Sequence, residues 1–203
     1  YQKPLNDIKK IINKKTSIIF PCTILPGWWL NKYGDPKFKS HVNKNAIGMS
    51  MWISGKMIAN KIVIKHTQRG YPLKEVFSTR RKEAEKLRNI IKIKSKSPIL
   101  NSIYGEIYLK VINSFAFNII AIKYNQNNSQ LLKNRKAIDE IKLIMSEFDN
   151  LVISMKLKLE QSIQGRINQT LSSTKHTMSM LSDLKEGKNI ELLNPWKSLK
   201  KIR

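Results

Sequence analysis

The chain has 203 residues, 41% of them hydrophobic, with 38 Lys+Arg against 14 Asp+Glu and a formal net charge of +24. That apolar share excludes wholesale disorder, and the length suits one ordinary domain or a small domain with an extension. The single cysteine, Cys22, excludes an internal disulfide framework and a cysteine-built zinc site, and is read as a small buried apolar residue.

So large a positive charge repels itself, and a polyanion is the expected companion, nucleic acid before an anionic membrane. Lysine outnumbers arginine 31 to 7, and Lys, Ile and Asn together supply 78 residues, the mark of an A+T-rich coding sequence. Lysines grip phosphate as point charges without the bidentate fork of arginine, so backbone positioning rather than base reading is expected.

In chain order, residues 1–45 form a basic segment punctuated by Pro4, Pro21, Pro26, Gly27, Gly34 and Pro36. A short helix around Leu5 to Lys14 followed by irregular chain is predicted. "SIIFPCTIL" is too short and too broken by proline for a signal peptide. In "LPGWWLNKYGDP" the pair Trp28 and Trp29 could stack on unpaired bases, but pinning a loop is the favoured role.

Residues 46–123 read as a small α+β RNA-binding domain. "GMSMWISGK" and "NKIVIKHT" are strand-like around a turn at Ser54-Gly55-Lys56, and "GEIYLKVINSF" is a further candidate strand. Met49 to Ile53 is expected to pair antiparallel with Lys61 to His66, and Tyr108 to Ile112 to join the same sheet. Between them "PLKEVFSTRRKEAEKLRNII" carries helical spacing with a solvated basic face. The longest apolar run, "VINSFAFNIIAI", is too short for a membrane span.

Residues 124–203 read as a helical extension with a basic tail anchored by Trp196. Ile138, Ile141, Met145, Phe148, Val152, Met155 and Leu159 step by three and four, the spacing of a helix-packing seam, while Lys142, Lys156 and Lys158 are expected near solvent or RNA. The seam either packs on its own domain or meets a partner helix, and Gly187 is the expected stop. The fold class is therefore α+β: a small antiparallel sheet with helices in the middle, an irregular basic N-terminal segment and a long helical C-terminal extension.

Catalytic templates are missing. No Walker loop, GxGxxG, HExxH, CxxC or GxxG occurs, and His41, His66 and His176 stand far apart without carboxylates at ligand-like spacing. The expectation is a protein that is not an enzyme and takes no metal, cofactor or small-molecule substrate.

"GMSMWISGKMIANKIVIKHTQRGYPLKEVF" followed by "SIYGEIYLKVINS" resembles the carboxy-terminal domain of small-subunit ribosomal protein three, over about 70 residues. Ser54, Gly55 and Lys56 match that family's turn, Gly70, Pro72 and Leu73 its second element, and Tyr104, Gly105, Lys110 and Val111 its third. The KH half is not visible, the segment between Leu73 and Tyr104 is longer than usual, and the basic helix that helps grip incoming mRNA has no counterpart. The resemblance implies a structural ribosomal protein of a divergent, mitochondrial small subunit, located in the mitochondrial matrix. Its partners would be rRNA and neighbouring ribosomal proteins, with no transmembrane insertion. The RNA-binding candidates are Lys37, Lys39, Lys44, Lys56, Lys61, Lys65, Arg69, Arg80, Arg81 and Lys110. The rival readings are a DNA-binding accessory or regulatory protein of an A+T-rich bacterium or mobile element, located in a bacterial cytoplasm, and a structural adaptor in a membrane-associated assembly.

Overall fold

A computed structural model describes residues 7, 10–13, 15–21, 36, 40, 44–76 and 78–190. The predicted helix at Leu5 to Lys14 falls mostly outside these residues. Cys22, Trp28, Trp29, His41, Trp196 and the basic tail lie outside them altogether. The chain divides into two compact units, Tyr1–Ile107 and Tyr108–Arg203, each taken by itself below.

Unit 1 holds two small sheets. In the first, β1 (Ile18–Pro21) pairs parallel with β2 (Ala46–Met49), and β2 pairs antiparallel with β5 (Leu73–Glu75). The sheet is therefore mixed, not antiparallel throughout as expected, because β1 comes from the segment whose prolines suggested irregular chain. All four residues of β2 are buried, as befits a central strand. Gly48 has no room for a side chain: a Cβ there would lie 2.4 Å from Cγ1 of Ile103.

The second sheet is a hairpin of β3 (Trp52–Ile58) and β4 (Lys61–Gly70). Its loop is Ala59-Asn60, both at positive φ (45° and 61°), a turn whose twist matches the strands it joins. This corrects the turn expected at Ser54-Gly55-Lys56, which lies within β3. The pairing prediction is also corrected: Ile53 faces His66 as expected, but Met49 pairs with Leu73 in the other sheet.

At the end of β4, Gly70 sits at φ +63°, and Tyr71 N–H donates to the Lys96 carbonyl at 2.8 Å. A Cβ on Gly70 would come within 2.2 Å of that carbonyl oxygen, so only glycine fits. A short 3₁₀ turn (Ser78–Arg80) leads into α1 (Arg81–Lys92), the helix expected from its spacing. Ala84 is fully buried and joins Ile47, Met49 and Leu73 in a core flanked by Leu87 and Ile91, while Lys82, Lys86 and Ile90 stay exposed on the other face.

The largest departure is α2 (Ile103–Tyr124), which turns the expected strand Tyr108 to Ile112 into the middle of a 22-residue helix. Apolar on nearly every side, it shows neither period, and a run of this kind cannot be told from a buried strand by alternation alone. It is long and apolar enough to cross a membrane, contrary to the shorter run expected, but 72% of its most apolar stretch is buried inside the protein, as in a core helix.

Unit 2 continues with α3 (Asn128–Lys133), α4 (Arg135–Ser154), α5 (Ile163–Leu171) and α6 (Ser179–Lys185). The breaks are encoded locally. Asn127 and Gln130 form a reciprocal capping box on α3, the Asn134 side chain accepts from Ala137 N–H at 3.1 Å, and Ser162 accepts from Gly165 N–H at 3.1 Å. The predicted seam therefore does not run to Leu159. Helix α4 ends at Ser154, and Lys156 reverses the chain at φ +59°. Ile141, Met145 and Val152 are buried; Ile138, Phe148 and Met155 are half-buried, and Phe148 meets Phe115 edge to face at 5.5 Å. Lys142, Lys156 and Lys158 are exposed as expected. Gly187, at φ +66°, follows the end of α6 as expected of a helix stop.

Candidate active site

Helix α2 carries few polar residues, and in unit 2 they fall into order. Lys110, Ser114 and Asn118 are four residues apart and form one stripe about 12 Å long. Lys110 and Ser114 are half-buried and Asn118 is buried. The stripe sets an ammonium and a hydroxyl on one half-buried face of the helix, groups of the kind that suit a small oxygen-rich anion or a carbonyl oxygen.

Asn118 is fixed at both ends of its amide. Its Nδ2 donates to the Ser114 carbonyl at 2.7 Å and to Ser114 Oγ at 3.3 Å, while its Oδ1 accepts from Met180 N–H at 2.9 Å. The stripe is thereby tied to the first turn of α6. On the same helix Asn113 donates to Thr170 Oγ1 at 3.1 Å, and at its end Lys123 and Tyr124 both donate to Glu140 of α4, at 2.8 and 2.9 Å. The hydrogen bond from Lys123 holds the Glu140 carboxyl below its ordinary range and raises the Lys123 ammonium, while desolvation, helped by Glu140, raises the Tyr124 phenol.

Of the residues predicted to bind RNA, the structure describes the side chains of Lys44, Lys61, Arg69, Arg80, Arg81 and Lys110. Lys37 and Lys39 lie outside the described residues, as do the side chains of Lys56 and Lys65. Lys44, Lys61 and Arg81 are exposed, Arg81 with Glu85 at 3.2 Å. Two others are drawn inward instead of toward phosphate. The Arg80 guanidinium donates to Asn45 Oδ1 and Glu83 at 2.7 Å each, and Arg69 grips Glu106. Glu106 is fully buried within unit 1 and accepts from Arg69 Nε at 2.9 and 3.1 Å, from Arg69 Nη2, and from Trp52 Nε1 at 2.6 Å. Lys110, expected to meet phosphate from a strand, lies instead on the polar stripe of α2. Sequence reasoning misses Ser114 and Asn118 because their four-residue spacing has meaning only on a helix, and this segment reads as strand.

The fold resembles the larger part of several solved dehydrogenase and reductase structures. A D-mandelate dehydrogenase solved with NADH and anilino(oxo)acetate superposes with a TM-score of 0.77 at 17% identity, covering 99% of this chain and 65% of that one. A 2-dehydropantoate 2-reductase from Geobacter metallireducens GS-15 gives 0.76 at 14% identity over 96% of this chain and 65% of that one. A PanE/ApbA family ketopantoate reductase from Ralstonia eutropha JMP134 gives 0.71 at 15% over 99% and 64%. In sequence, residues 102–194 match the family model described as ketopantoate reductase PanE/ApbA C terminal. No curated protein matches the chain. The chain thus spans about 65% of the length of the first of these dehydrogenases.

These similarities overturn the ribosomal reading. With it go rRNA and ribosomal proteins as partners, the absence of an enzyme and of a small-molecule substrate, and the DNA-binding alternative. The physical reason is visible in "SIYGEIYLKVINS": the supposed third strand is the start of α2. The first motif and Gly70 of the second do lie in the β3–β4 hairpin, but the third is helical, so the match holds in order without the three-stranded sheet it implied.

Proposed function

We propose that this chain forms the substrate side of a nicotinamide-linked reductase of 2-oxo acids, of the ketopantoate reductase kind. The observation that carries the reading is the stripe Lys110, Ser114 and Asn118 on a buried helix, inside the stretch matched by the reductase family model. Reduction of a ketone to an alcohol adds a hydride to carbon and a proton to oxygen. The Lys110 ammonium can attract the substrate's carboxylate or donate to the carbonyl oxygen as negative charge develops there. The Ser114 hydroxyl is a neutral second donor. Asn118, whose amide is spent on Ser114 and Met180, holds the stripe in register.

The residues present do not fit the cofactor's pyrophosphate. No GxGxxG occurs in the sequence, and β2 runs through Ser50 and Met51 into the hairpin rather than through a glycine turn into a helix. The nicotinamide of such reductases supplies the hydride, and no residue of this chain is assigned to holding it.

The test is binding of 2-dehydropantoate and of aryl 2-oxo acids to the protein, before and after Lys110→Ala. A dissociation constant raised about tenfold or more is expected for the variant. Binding indifferent to Lys110, or none with any 2-oxo acid, overturns the reading.

A further inference from the structure

Resting on that reading of the α2 stripe, we propose that Asn128, at the start of α3, is a positioning residue. It clamps the strap between α5 and α6 and so fixes the Asn118 amide on the substrate side. Asn128 is fully buried. Its Nδ2 donates to the Thr170 carbonyl in the last turn of α5 at 2.8 Å and to the Ser173 carbonyl of the strap at 3.1 Å, and its backbone N–H donates to the His176 carbonyl at 3.0 Å. The next residue adds a fourth bond, from Ser129 N–H to the Thr174 carbonyl at 3.1 Å.

Residues 170–176 are thus held at several points from one end of α3. Four residues past His176, Met180 N–H reaches Asn118 Oδ1. An amide can donate through one end and accept through the other. Because Met180 occupies Oδ1 of Asn118, Nδ2 is turned onto Ser114, and the Ser114 hydroxyl receives a defined neighbour. If the strap shifts, the acceptor end of Asn118 loses its partner and the stripe loses its register. The primary amide at position 128 puts two donors on two carbonyls: serine offers one, alanine none, and aspartate would set negative charge against both oxygens.

The test measures amide hydrogen exchange of Met180 against that of Ile120, in the core of α2, for the parent protein, Asn128→Ala and the milder Asn128→Ser, alongside binding of 2-dehydropantoate. In Asn128→Ala the Met180 amide should exchange at least about tenfold faster relative to Ile120, with Asn128→Ser between, and the dissociation constant should rise about tenfold. Asn128→Ser carries the test if the alanine variant does not fold. A uniform rise at both amides, or none, shows a residue that only stabilises the unit and overturns the proposal. Selective loss at Met180 with unchanged binding of 2-dehydropantoate overturns the positioning role. If the parent protein binds no 2-dehydropantoate, the reading of the stripe fails, and the exchange ratio alone still decides whether Asn128 fixes the Met180–Asn118 bond.

Discussion

The two units bury polar groups by opposite means. Unit 1 sinks a full carboxylate, Glu106, and surrounds it with charged and neutral donors: Arg69 from β4 and the Trp52 indole from β3. Unit 2 relies on amides. Asn113, Asn118 and Asn128 are all buried, and each donates from its amide to backbone or hydroxyl groups of its own or other helices and turns, although Asn128 Oδ1 finds no partner among the described residues. Unit 2 has its own buried ion pair, Arg166 with Asp149, but there Asp149 Oδ1 and Arg166 Nε and Nη1 find no partner among the described residues. The contrast teaches that a buried charge strengthens a fold only when its hydrogen bonds are saturated, whereas neutral amides fix register at lower risk.

Breaking the saturated pair is expected to have the largest effect. Glu106→Gln leaves the Arg69 guanidinium buried beside a neutral amide, and a loss of roughly 3–5 kcal/mol is expected in denaturant unfolding. A loss below about 1 kcal/mol would place this pair with ordinary surface ion pairs. Next comes Gly70→Ala, which strains the backbone at φ +63° and drives a methyl against a carbonyl that belongs to the main chain. About 2–4 kcal/mol is expected from strain and overpacking together, and Gly48→Ala should cost less, since Ile103 can shift its side chain.

Removal of a single cap sharpens the view of unit 2. Asn127→Ala abolishes the capping box on α3 and should cost about 1 kcal/mol, read as a lower unfolding midpoint with unchanged denaturant slope.

The smallest effect is a dependence on pH. Burial raises the Asp149 carboxyl above its ordinary 3.8, with Arg166 opposing but not cancelling that shift. The folded state therefore holds the Asp149 proton more tightly than the unfolded chain does. Its contribution to stability falls as pH rises from about 3.8 through the raised folded value. Glu140 has the reverse sign: its carboxyl is depressed by Lys123, so what it contributes is present above its ordinary 4.5 and is lost as pH falls through the depressed value. Asp149→Asn should remove the first slope and leave the second, as pH-resolved unfolding curves of parent and variant will show. Identical slopes in the two proteins would mean that Asp149 does not titrate in the folded unit.

Much of the helical architecture is legible in the sequence alone. The spacing of Ala84, Leu87 and Ile91 places α1, the alternation of "KIVIKH" places β4, and Gly187 is the expected stop. The candidate site is not legible there. Lys110 stands out for its charge, but Ser114 and Asn118 become its neighbours only when the segment is helical, and no local period reveals a helix that is buried on nearly every side. Glu106 carries no signal of its role either, since its partners Trp52 and Arg69 are 54 and 37 residues away.

By itself, then, the sequence determined what short-range physics controls: the helix stop at Gly187, the alternation of β4 and the amphipathic stripe of α1. Tertiary structure alone decided whether Ile103 to Tyr124 would be strand or helix, which arginines would turn inward, and which asparagines would meet across helices. Those outcomes depend on burying apolar surface and satisfying polar groups with partners from distant parts of the chain, and that free energy is absent from any window of sequence short enough to read as a pattern.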